Sequence, residues 1–186
     1  MYLTLPIWIK LRKQYTFIGE NVLSAGNQQE RLDAAWITGF VDGEGCFYVG
    51  INRINKMSLG WQVLPEFRIV QHQRDEQVLQ KIMSHFGFGS IRVNHGDRKE
   101  FRVRGLENLN KIIGFFRKHP LQSKKKKDFE LFSEIIGMMN QKEHLTKSGL
   151  NRIAKLASNM NEKVKSQYLV SSETIRRTSQ TQSNKQ

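Results

Sequence analysis

Ala35, Gly39 and Gly43 recur every four residues in a stretch where Leu32, Trp36, Ile37 and Phe40 follow a three- and four-residue apolar rhythm. That rhythm predicts a helix over Arg31 to Phe40, stopped by Gly43 and Gly45. The three small residues then form a stripe almost free of side chains, along which another backbone can approach closely. Two carboxylates, Asp42 and Glu44, stand at the end of this helix between glycines. The helix macrodipole opposes an acid there unless a cation is near. In isolation a D-G-x-G segment is a turn, with the Asp serving its backbone hydrogen bond.

Charge supplies the context. Lys and Arg number 30 against 17 Asp and Glu, a net +13 with an isoelectric point near 10.0. Most of that charge falls within residues 31–165, the part with folding patterns. A polyanionic partner follows, nucleic acid foremost. Cys46 is the single cysteine, which excludes a disulfide scaffold and points to a reducing compartment. No run of about 18 apolar residues exists, which argues against a membrane-spanning helix.

Beyond the first helix the periodicity switches. Cys46 to Asn52 and Trp61 to Gln73 alternate as strands, with Phe47, Val49, Ile51, Val63, Phe67 and Ile69 toward a core. Asp75 is placed to cap a helix that ends at Gly87. A hairpin then joins Ser90–Asn94 to Lys99–Arg104, and helices follow from Leu106, from Lys124 and over Lys147–Met160. The order α-ββ-α-ββ-α-α predicts an α+β fold, a four-stranded antiparallel sheet with helices on one face. The opposite face carries Tyr48, Asn52, Gln62, Arg68, Arg92, Asn94, Arg102 and Arg104. It reads as polar and basic. Arg hydrogen-bonds guanine, and Asn or Gln adenine, so such a face has the chemistry to read base edges.

The segment Ile37-Thr38-Gly39-Phe40-Val41-Asp42-Gly43-Glu44-Gly45 resembles the signature helix of the LAGLIDADG homing endonucleases. The stretch Pro120 to Phe129, with lysines at 124–127, is similar to the basic loop before that family's last sheet-packing helix. The resemblance covers roughly residues 31–160 and implies a saddle-shaped sheet on double-stranded DNA. It implies Glu44 as the metal-binding acid, with the Gly43 carbonyl as a further ligand. Gln71 would orient the attacking water, and Lys125 would polarise it or stabilise phosphate charge, with Lys124 next in register. Lys124 would also lie against the DNA. Asp42 is expected to cap or buttress the helix end. Mg²⁺ is the expected cofactor, two or three divalent ions per dimer.

Cutting both strands needs two such acids, and no second copy of the motif is found. A homodimer joined along Ala35, Gly39 and Gly43 is therefore expected. Its pseudo-palindromic target would span about two helical turns. Cleavage across the minor groove, leaving short 3′ overhangs, follows from the resemblance alone. The expected gene is an intron-encoded form acting in an organelle. The rival readings are an intron maturase binding RNA, or a cleavage-inactive DNA-binding module on the same scaffold.

Residues 1–30 read as an N-terminal extension: a transit peptide, an upstream reading-frame extension or an extra helix. Residues 31–165 form the endonuclease domain, and the polar 166–186 stretch reads as a disordered tail. The five histidines show no paired ligand spacing. Of these, His72 follows Gln71 closely enough to touch the site.

Overall fold

A computed structural model describes residues 32–160 and 168–171. The expected N-terminal extension lies outside the described residues. The elements run α1 (Ala34–Glu44), β1 (Gly45–Arg53), β2 (Trp61–His72), α2 (Glu76–Phe86), β3 (Ser90–Val93), β4 (Arg98–Val103), α3 (Leu106–Lys118), α4 (Lys125–Asn140) and α5 (Lys147–Ser158). The four strands make one antiparallel sheet in the order β1-β2-β4-β3. The α+β expectation holds.

Alternation along each strand decides which face is covered. Phe47 pairs with Phe67, Phe67 with Val103 and Ile69 with Phe101. All five are fully buried beneath the helices. Phe47 sits at the centre of an aromatic cluster, its ring 5.2 to 5.7 Å from those of Phe67, Phe116, Phe129 and Phe132. The α4 phenylalanines are therefore core residues.

Several local expectations change. Helix α1 starts at Ala34, capped by Asp33 Oδ1 accepting from the Ala35 N–H at 3.1 Å, and it runs through Gly43 to Glu44. Only Gly45 ends it. A Cβ there would lie 2.5 Å from Val41 Cγ1 and 2.9 Å from the Val41 oxygen, so the helix turns into β1 only with glycine. The buried face of α1 is Ile37, Thr38 and Val41, whereas Trp36 is 43% exposed and stacks on Phe40 at 4.9 Å. Asp75 stands at the start of α2 but makes no side-chain cap. His72 instead accepts the Arg74 N–H at 3.1 Å, capping the 3₁₀ turn between β2 and α2.

Residues 168–171 are the described part of the stretch read as a tail. Tyr168 is 6% exposed, meets the Trp61 ring edge-on at 5.2 Å and donates its hydroxyl to Asn151 at 3.0 Å.

Candidate active site and nucleic-acid face

The chemistry gathers where α1 meets β1. Ala35, Gly39, Gly43 and Glu44 are all exposed, and a Cβ built on Gly39 or Gly43 meets nothing within 4 Å. The stripe faces away from this chain's own core.

Asp42 is held from across the fold. Its Oδ2 accepts the Gln122 N–H at 2.7 Å, and its Oδ1 accepts the Ser123 N–H at 3.1 Å and the Ser123 hydroxyl at 2.7 Å. Burial pushes the carboxyl up, but these bonds and nearby Lys125 outweigh it and hold it below the ordinary carboxylate value. Asp42 is thus a buttress, as expected, though it supports the start of α4 rather than its own helix end.

That buttress sets Lys125. Ser123 Oγ accepts the Lys125 N–H at 3.2 Å, and the Lys125 ammonium donates to the Gly43 carbonyl at 3.3 Å and to the Gly45 carbonyl. A cation thereby sits at the negative end of α1. Within the lysine run, Lys125 is half-buried against the motif while Lys124, Lys126 and Lys127 are exposed.

Gln71 lies two residues beyond Ile69, whose β1 partner is Gly45, so the register brings it to the same end of the sheet as Glu44. Alternation turns it to the helix side and puts His72 on the open side. The His72 Nε2 donates to Asp97 at 2.9 Å, so this imidazole braces the β3–β4 hairpin. The Cys46 thiol is pushed up by burial, against the pull of Arg68 and Lys125.

Glu44 and the Gly43 carbonyl, whose second lone pair remains available, are hard oxygen donors that suit a divalent cation such as Mg²⁺ or Ca²⁺. Among the described residues no three His, Cys, Asp or Glu side chains converge on one metal position. One protomer therefore offers a single carboxylate, and remaining ligands would come from solvent, phosphate or a second copy.

The eight residues expected to face DNA do share the open side of the sheet, with Asn52 opposite Gln62 and Arg68 opposite Arg102. That side is not uniformly basic, contrary to the sequence reading. Glu66 and Glu100 lie on it at 3% and 4% exposure. Arg68 Nε is 3.2 Å from Glu66, Arg102 is 3.7 Å from Glu66 and 3.2 Å from Glu100, and Arg104 grips Glu66 with two nitrogens. Tyr48 lies over Gly50, and the Arg68 guanidinium sits 4.4 Å above its ring. The signal was available: an acid two residues from an arginine on one strand face.

Comparison with known proteins settles the lineage. The sequence pattern of the LAGLIDADG endonucleases matches residues 37–136. The chain belongs to this family. It is 32% identical over 151 residues to "Probable intron-encoded endonuclease 3" of Neurospora crassa, covering 80% of this chain and 28% of that one. The crystal structure of the homing endonuclease I-TnaI aligns with a TM-score of 0.69 and 54% identity, over 70% of this chain and 89% of that one. I-SmaMI, bound to an uncleaved DNA target in the presence of calcium ions, aligns with a TM-score of 0.73 and 32% identity, over 76% of this chain and 49% of that one. The chain spans about 26 to 29% of the length of the first curated relatives it matches. As a LAGLIDADG protein, it carries that family's motif on α1 with Glu44 where the family name spells its second Asp. Among the described residues no helix is long and apolar enough to cross a membrane.

Proposed function

We propose that this chain is a homodimeric, divalent-metal-dependent DNA endonuclease that cuts both strands of a specific pseudo-palindromic site. The observation that carries the reading is Glu44 standing exposed at the end of an equally exposed small-residue stripe. Two copies of α1 packed along Ala35, Gly39 and Gly43 bring two Glu44 carboxylates to one symmetry axis. They also join two open sheet faces into one surface. I-SmaMI, covered for just under half of its length, has room for two domains of this size in one chain.

A divalent cation at Glu44 and Gly43 would supply Lewis acidity toward a phosphate oxygen and lower the pKa of a nearby water. The Lys125 ammonium puts positive charge where the scissile phosphate gains negative charge. Gln71 orients the attacking water by hydrogen bonding. Asp42 keeps Lys125 in place through the Gln122–Ser123 turn. The family resemblance adds cleavage across the minor groove with short 3′ overhangs, and intron-encoded relatives support an organellar setting.

The test is incubation of the full chain with a randomised duplex library and Mg²⁺, followed by sequencing of cut ends. Recovery of one recurrent, two-fold-related site with paired nicks is expected. A chain that binds intron RNA but cuts no duplex overturns the proposal in favour of a maturase.

A further inference from the structure

We infer that Glu66 is a specificity-determining positioning residue, which holds Arg68, Arg102 and Arg104 as readers of bases and keeps them from acting as loose clamps on phosphate. The inference rests on the nuclease reading above.

The sheet register builds the arrangement. Glu66 stands opposite Tyr48 on β1, and Arg104 follows Val103, the partner of Phe67, which places it at the other flank of Glu66. Arg68 is two residues along the same strand face, and Arg68 pairs directly with Arg102. All three guanidiniums converge on one carboxylate that is 3% exposed, and Glu100, 4% exposed, takes the Arg102 Nε at 3.2 Å. Two buried acids thus oppose three arginines in the middle of the open face. A carboxylate in such a place is costly unless it is paired, and well-packed apolar residues would serve stability as well. A face built only to attract DNA has no use for either acid.

What the acids do provide is orientation. A guanidinium has five N–H donors, and those turned inward on Glu66 leave others facing out. The side chains of Arg68, Arg102 and Arg104 remain 26%, 17% and 44% exposed. Two fixed donors suffice for guanine O6 and N7. An unrestrained arginine would satisfy itself equally on any phosphate, which positions but does not specify. Glu66 also cancels part of the local charge and so weakens sequence-independent binding. Arg68 is further confined by the Tyr48 ring beneath it.

The experiment compares the full-length chain with Glu66→Gln, which keeps the shape and removes the charge. Bound duplexes are captured from a randomised library in calcium and sequenced, and the salt dependence of binding is measured. Glu66→Gln is expected to relax base preference about tenfold at two or three neighbouring positions of each half-site. The slope of log affinity against log salt should steepen by about one. Unchanged base frequencies overturn the inference, as does a uniform loss across all sequences with a lowered melting temperature. If Glu66→Gln does not fold, Glu66→Gln/Arg104→Gln restores the charge balance. It should relax positions that Arg104→Gln alone leaves intact, and identical profiles overturn the inference. A wild-type chain that selects no sequence overturns the nuclease reading together with it.

Discussion

Asp42 and Ser123 stand 81 residues apart in the chain, yet Asp42 Oδ1 accepts both the Ser123 hydroxyl at 2.7 Å and its N–H at 3.1 Å. This contact ties the end of α1 to the start of α4, and through Ser123 it fixes the backbone of Lys125. Replacing Asp42 with Asn removes the charge that makes these bonds strong. The expected cost is about 1.5–3 kcal/mol of folding stability, the range for hydrogen bonds to a charged group. Cleavage should slow more than binding weakens, because Lys125 loses its seat while the sheet face is untouched. Urea denaturation and a comparison of kcat with Kd on the selected site check both parts.

The same carboxylate makes the junction acid-sensitive. Its folded pKa lies below the ordinary value, so its stabilising contribution is fully present above the unfolded carboxyl pKa of about 4. That contribution is lost as pH falls through the depressed folded value. The stability difference between wild type and Asp42→Asn should therefore be constant near neutrality and shrink on acidification below about pH 4. Denaturation curves at pH 7, 5, 4 and 3 measure it. A gap of constant size down to pH 3 would mean that charge plays no part in the contact.

Local patterns carried the fold because each strand shows one apolar side and each helix one apolar stripe. Phe47, Phe67 and Phe101 alternate with polar neighbours, and Gly87, with φ 74°, ends α2 in the left-handed conformation that glycine favours. The motif, too, is contiguous, which is why Glu44 and Asp42 could be read from nine residues. Contacts between distant segments were not legible. Nothing in residues 37–45 says that Asp42 meets the 122–123 turn, and nothing near Tyr168 points to Trp61. The buried acids were missed for another reason. Glu66 obeys the strand alternation of a solvated position; Arg68 two residues on is a local hint, but Arg102 and Arg104 reach Glu66 from the neighbouring strand and the residue after it, which no single-strand pattern reports.

Glu44→Gln tests the acid itself. The substitution keeps the side-chain length at an exposed position, so folding should be unaffected. A neutral amide oxygen holds a hard divalent ion more weakly than the charged carboxylate it replaces. Cleavage should fall by at least 1,000-fold, an order-of-magnitude expectation for loss of metal-assisted hydrolysis, with affinity for the selected duplex retained. Cutting at the wild-type rate would remove Glu44 from the mechanism and leave Asp42, already spent on the α4 junction, as a poor substitute.

Gly39→Leu separates the assembly from the fold. Within one chain a Cβ at Gly39 meets nothing within 4 Å, and the position is exposed, so the isolated protomer has room for a larger side chain. Leucine is also the better helix former, by roughly 1 kcal/mol in an exposed helix interior. The protomer should therefore keep its circular dichroism. Across a helix-to-helix contact the same side chain would hold the two α1 backbones apart and with them the two Glu44 carboxylates. Sedimentation should show the wild type as a dimer and the variant as a monomer. Residual activity should consist of single-strand nicks in place of double-strand breaks. A variant that sediments as a dimer would move the interface away from the Ala35–Gly39–Gly43 stripe.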